Sequence, residues 1–135
     1  MRFILTAVLM LGGIAFVLIG LGFLLQPESS AGGFGLTGRG AQGLSTLRAD
    51  MTAFFVVGGA AMIWGAWQRN GELLLVPAAL FGIAFTGRAV SLFADGFYEG
   101  WWTGMTVEAL VVILSLWASR ALPHEVVGHA RPDPA

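Results

Sequence analysis

Five charged side chains lie within or at the ends of apolar stretches of this sequence, and they have the clearest capacity for chemistry. They are Arg48, Asp50, Arg88, Asp95 and Glu108. An ionisable side chain inside a hydrophobic span is costly unless it meets a partner, a cavity or the lipid headgroups. Arginine and carboxylate groups placed together can lock helices through an ion pair, hold a polar headgroup, or relay protons or ions. We therefore take these five residues as the predicted ligand-binding set.

Other kinds of chemistry are excluded by what the chain lacks. It has no cysteine and no lysine, so thiol nucleophiles, cysteine metal sites and Schiff-base lysines are ruled out. Both histidines lie in the C-terminal tail, where His124, Glu125 and His129 resemble the H-E-x-x-H zinc motif with one residue too many. We expect no metal, no cofactor and no enzymatic activity. The formal net charge of -1 gives no indication of a nucleic-acid partner.

The composition indicates a membrane protein. The chain is 56% hydrophobic and 11% charged, whereas soluble domains carry about 25% charged residues. Four apolar segments, at approximately 3–25, 47–67, 73–93 and 105–122, are long enough to cross a bilayer core. The first is too long for a secretory signal and no clean cleavage motif follows it. We predict one all-α polytopic domain over residues 1–135, with four transmembrane helices in an up-down-up-down bundle and a loose tail at 123–135.

The connection between the first two spans, residues 28–45, is polar and rich in glycine. It contains G-x-G-x-x-G at Gly33, Gly35 and Gly38, and again at Gly38, Gly40 and Gly43. A dinucleotide site needs a preceding strand and a βαβ unit, and neither is predicted here. We expect a flexible loop that lies over the helix ends, with Ser45 or Thr46 capping the second span.

Four antiparallel spans place the start of span two, the end of span three and the start of span four at one membrane face. The five charged residues are therefore gathered at that face. Arg88 and Glu108 lie at similar depth in neighbouring spans, which predicts a bidentate ion pair. Such a pair either locks the helices together or lines an outward-opening pocket for a lipid headgroup or a small amphiphile; proton or ion relay is a third possibility.

The arginines also predict the orientation. One face receives Arg2, Arg69, Arg120 and Arg131, and the other receives Arg39 and Arg48. Cytoplasmic segments carry the excess of basic residues. Both termini are therefore expected in the cytoplasm, with the charged cluster on the outward side.

Three segments resemble a family of bacterial four-helix integral membrane proteins catalogued as domain of unknown function 4345. They are L-R-A-D-M-T-A-F-F at 47–55, T-G-R-A-V-S-L-F-A-D-G-F at 86–97 and T-V-E-A-L at 106–110. The resemblance implies a four-helix protein of the bacterial inner membrane, and it supplies no activity, substrate or cofactor. The matching positions are Arg48, Asp50, Arg88, Asp95, Gly96 and Glu108.

Two functional hypotheses follow. The first is a non-enzymatic membrane module that binds a membrane lipid or small amphiphile whose headgroup meets Arg88. The second is an accessory subunit that packs against a larger membrane protein complex, or against copies of itself, through glycine-rich helix faces. A binding module should show an open pocket beside Arg88, whereas an accessory subunit should expose a small-residue helix face.

Overall fold

The computed structural model describes residues 1–123, and all of their regular structure is helical. The predicted tail motif at His124, Glu125 and His129 lies outside the described residues, as does all of the predicted loose tail except Pro123. The helices are α1 (Arg2–Leu25), α2 (Pro27–Gly32), α3 (Gly40–Thr46), a π-helical segment (Leu47–Met51), α4 (Thr52–Gln68), α5 (Gly71–Ala94) and α6 (Trp101–Ala121).

Four helices are long and apolar enough to cross a membrane: α1, the continuous helix Gly40–Gln68, α5 and α6. The predicted fold class is thereby confirmed. The predicted limits of the first and third spans differ from the structure by no more than two residues. The second helical stretch begins seven residues earlier than predicted, and α6 begins at Trp101 rather than near residue 105.

Glycines set the close approach of α1 and α4. A Cβ atom on Gly13 would lie 2.6 Å from the carbonyl oxygen of Gly59, and one on Gly59 would lie 2.5 Å from the carbonyl oxygen of Gly13. The two backbones therefore touch at this crossing, as small residues allow in membrane helix pairs. On its other side α4 packs against α5, with Gly58 facing Phe81 and Gly65 facing Leu74.

The start of α5 packs against the end of α6, where the backbone of Gly71 contacts the carbonyl group of Ser119. The two helices are thus antiparallel neighbours. Large apolar side chains point away from these interfaces and are exposed on the outer faces of all four long helices. Such an apolar exterior matches a lipid environment; examples are Phe3, Leu18, Trp64, Ile83, Phe93 and Ile113.

Two helical stretches interrupt the connection between α1 and α4 that the sequence predicted as a loop, and only residues 33–39 of that loop are irregular. Pro27 opens α2 at a position where its missing N–H costs nothing, and Ala31 is fully buried. The chain then turns and enters α3 at Gly40. The predicted cap at Ser45 or Thr46 is wrong, because the helix passes through both residues and widens into the π-helical segment.

The turn between α4 and α5 is held by a side-chain cap. Arg69 ends α4 with a left-handed backbone, and Asn70 Oδ1 accepts hydrogen bonds from the backbone N–H groups of Glu72 (3.1 Å) and Leu73 (3.2 Å). We expect Asn70→Ala to lower the free energy of unfolding by about 1 kcal/mol, since two N–H groups lose their acceptor. Asn70→Asp, which keeps an acceptor, should lose much less in the same thermal unfolding measurement. Equal losses in both variants would show that the side-chain acceptor is not the cause of the loss.

Candidate ligand cavity at the Arg88–Glu108 pair

The predicted ion pair between α5 and α6 is present. Arg88 Nε lies 2.7 Å from Glu108 Oε1. Only one oxygen of the carboxylate is engaged, so the predicted bidentate geometry is wrong: Oε2 is buried and has no hydrogen-bond partner among the described residues. The two side chains differ in burial, with 38% of Arg88 exposed and 7% of Glu108.

Gly104 makes room for the guanidinium group. It lies one helical turn before Glu108 on α6, and a Cβ atom there would come within 3.2 Å of both Cζ and Nε of Arg88. The planar group therefore lies across the backbone of α6 on its way to the carboxylate. Tyr98, in the connection before α6, is a further polar neighbour of Arg88.

A cavity of about 810 Å³ lies beside this pair. Its size falls within the range of roughly 300–1,000 Å³ that is usual for pockets holding small ligands. It reaches from Arg88 down to Phe81, seven residues deeper on α5, which corresponds to about 10 Å along the helix. The cavity thus extends about two helical turns into the apolar part of the chain.

The deep wall of the cavity is aromatic. Phe16 of α1, Phe54 and Phe55 of α4 and Phe81 of α5 all line it. Their rings contact one another, with centroid separations of 4.7 Å for Phe16–Phe81 and 5.0 Å for Phe54–Phe81. Such ring clusters give a stiff apolar surface.

Two connections cover the outer end. One is Gly33–Phe34–Gly35, after α2, in which Phe34 packs against Phe23 and Phe55 at 5.4 Å. The other is the segment 98–100, in which Gly100 takes a left-handed backbone conformation with φ of 76° before α6 begins. Polar groups cluster at this end, near the predicted membrane surface: Arg88, Tyr98, Glu99, Thr103 and Glu108.

The structure brings together only two of the five predicted ligand-binding residues. Arg88 and Glu108 line the cavity, and Arg48, Asp50 and Asp95 do not. Arg48 instead donates from Nε to the carbonyl oxygen of Leu24 (2.9 Å), at the end of α1. Asp95 accepts a hydrogen bond from Ser91 (2.8 Å), and Asp50 is exposed on the π-helical segment. Arg48, Asp50 and Asp95 therefore do not share a site with the pair.

Sequence reasoning missed Tyr98, Thr103, Gly104 and the aromatic wall as parts of the site. A usable signal existed for Gly104, since it precedes Glu108 by four residues and so shares its helix face. The phenylalanines carried no such signal, because any of them could have faced lipid. Within residues 1–123, no group of three His, Cys, Asp or Glu side chains could hold a metal ion.

The fold and the cavity together define a polytopic helical membrane protein with a small-molecule-sized pocket beside an intramembrane Arg–Glu pair. The chain belongs to the family described as Domain of unknown function (DUF4345), whose model matches residues 4–119. No curated protein matches the chain, and no solved structure does. The family description names no activity, so the function has to be argued from the geometry.

Proposed function

We propose that this chain is a non-enzymatic membrane module that binds a small amphiphile in the cavity beside Arg88 and Glu108. The observation that carries the proposal is the gradation of the cavity from an aromatic wall to a polar outer end. An amphiphile has the same gradation, so its apolar part can lie against the phenylalanines while its headgroup meets the polar side chains.

The ion pair has a structural part in this proposal as well. It joins α5 to α6 and so fixes one wall of the cavity. The pair therefore locks the helices and presents polar atoms to a ligand at the same time. A single pair can do both, because 38% of the Arg88 side chain stays accessible.

The alternative, an accessory subunit, was suggested by the glycine-rich helix faces, and four of those glycines make contacts within the chain. The glycine faces of α1 and α4 were its predicted contact surface, and the structure uses them within the chain at Gly13, Gly58, Gly59 and Gly65. Within residues 1–123 those four glycines are therefore not free to form an outer contact surface. We therefore retain the binding module as the proposed function.

We further propose that the module lies in a bacterial inner membrane with both termini in the cytoplasm. Arg2, Arg69 and Arg120 support this orientation, since they lie at the face that carries the N-terminus and the α4–α5 turn. Reporter fusions at the C-terminus and between α2 and α3 test it. Activity at the C-terminus of a reporter that works only outside the cytoplasm would overturn the orientation. The cavity proposal would remain intact.

Filling the cavity should remove the bound amphiphile. Ala84 lines the cavity between Phe81 and Arg88 on α5, so the ring of Ala84→Phe would take up ligand space without altering the pair. Native mass spectrometry of protein purified from membranes should show an amphiphile on the wild type and about tenfold less on Ala84→Phe, a loss equivalent to about 1.4 kcal/mol of binding.

The matched control is Ala79→Phe, which adds the same ring to an exposed position on the same helix. It should retain wild-type occupancy. If Ala84→Phe and Ala79→Phe carry the same adducts as the wild type, the bound molecules are annular lipid and the proposed function fails.

A further inference from the structure

The cavity rim has no uncommitted positive charge. Its charged residues are Arg88, Glu99 and Glu108, which is one guanidinium group against two carboxylates and a formal net charge of -1. The guanidinium is already paired with Glu108 at 2.7 Å. An anionic headgroup would therefore meet an excess of like charge, and juxtaposed like charges oppose binding.

Glu108 carries a hydrogen-bond acceptor that the protein leaves unused. Its Oε2 atom is buried and has no partner among the described residues, although Glu108 itself borders the cavity. A buried acceptor without a donor is destabilising, more so when it is charged. A hydrocarbon ligand alone would leave this atom unpaired, so the site calls for a ligand that donates a hydrogen bond.

Arg88 has hydrogen-bond donors that a ligand could use. A guanidinium group has five N–H donors and no acceptor, and the hydrogen bond from Nε to Glu108 Oε1 uses one of them. The side chain is 38% exposed and lines the cavity. The ligand should therefore also accept a hydrogen bond at the same end that donates one.

We propose that the amphiphile is uncharged and ends in a hydroxyl group, which accepts from the Arg88 guanidinium and donates to the Glu108 carboxylate. This inference rests on the proposed function and specifies its ligand class. Oε2 has no exposed surface in this structure, so binding requires the Glu108 side chain to shift toward the cavity that it borders. The apolar remainder of the ligand lies against Phe54 and Phe81.

The test compares three probes of equal chain length: a medium-chain primary alcohol, its methyl ether and the corresponding carboxylic acid. The protein is held in nanodiscs of phosphatidylcholine, whose headgroup has no hydroxyl donor, and the rise in thermal unfolding temperature is followed against the probe content of the bilayer. The ether can accept but not donate, and the acid is used at alkaline pH, where it is anionic in the bilayer. The alcohol should reach half-maximal stabilisation at about tenfold lower content than the ether, because only the alcohol satisfies the carboxylate.

The double variant Arg88→Leu/Glu108→Leu should bind alcohol and ether equally, since both polar partners are gone. Equal binding of alcohol and ether to the wild type, or tightest binding of the acid, would overturn the hydroxyl assignment. If either of those results is seen and the binding is lost in Ala84→Phe, the cavity still binds amphiphiles and the proposed function stands. If no probe stabilises the wild type more than Ala84→Phe, the proposed function fails and the hydroxyl assignment with it.

Discussion

Arg88→Leu should be the most damaging single change in the polar cluster, lowering the free energy of unfolding by about 3 kcal/mol. The reason is the carboxylate that remains, because Glu108 is 6% exposed and would be left buried with no ionic partner. Glu108→Leu should cost less, about 1 kcal/mol, since the guanidinium is partly exposed and can turn toward the membrane surface. Thermal unfolding of both variants in bicelles measures the asymmetry.

The double variant Arg88→Leu/Glu108→Leu should recover most of the loss caused by Arg88→Leu, because no charge is then left buried. Asp95→Asn is the matched control. It weakens the exposed Ser91–Asp95 hydrogen bond further along the same helix, and should change stability by no more than about 0.5 kcal/mol. An effect of Arg88→Leu as small as that of Asp95→Asn would show that the pair does not lock α5 to α6.

The second large effect should come from the crossing of α1 and α4. Gly59→Ala places a Cβ atom 2.5 Å from the carbonyl oxygen of Gly13, and the backbone cannot turn aside as a side chain can. The helices must separate, which we expect to cost about 3 kcal/mol in the free energy of unfolding. Gly13→Ala should behave alike, and the two changes combined should cost less than their sum, since one separation relieves both clashes.

Gly87→Ala is the control for this prediction. A Cβ atom at Gly87, inside α5, meets nothing within 4 Å. Alanine there should leave the protein unchanged or stabilise it by up to about 1 kcal/mol through the backbone entropy of the unfolded chain. The close crossing would be contradicted if Gly59→Ala melted at the same temperature as Gly87→Ala.

The sequence was informative wherever the apolar period and depth along a helix decide the structure. The limits of α1 and α5 followed from the lengths of their apolar runs. The Arg88–Glu108 contact followed from depth, since both residues lie a similar distance from the same face on neighbouring helices. Depth, however, fixes only the position along the helix axis and leaves the lateral position of a side chain undetermined. Arg48 lies at that face too, and the structure places it at the end of α1 because its lateral position depends on how α3 and the π-helical segment turn.

The cavity was beyond sequence reasoning for a related reason. It lies where phenylalanines of α1, α4 and α5 meet beside Arg88. Which phenylalanines line that space depends on the rotation of each helix about its axis. Composition and hydropathy do not fix that rotation in a chain whose helices are apolar on most sides.

The most direct measurement of the central claim is the location of a bound amphiphile. A hydrophobic alcohol that carries a photoreactive diazirine can be crosslinked to the protein in phosphatidylcholine nanodiscs, and the labelled peptides read by mass spectrometry. We predict label on the cavity wall, at Phe54, Phe81 and Val107, that falls about tenfold in Ala84→Phe and persists in Ala79→Phe. Label confined to outward-facing residues such as Ile83 and Phe93, and unchanged by Ala84→Phe, would contradict the claim that this cavity is a binding site.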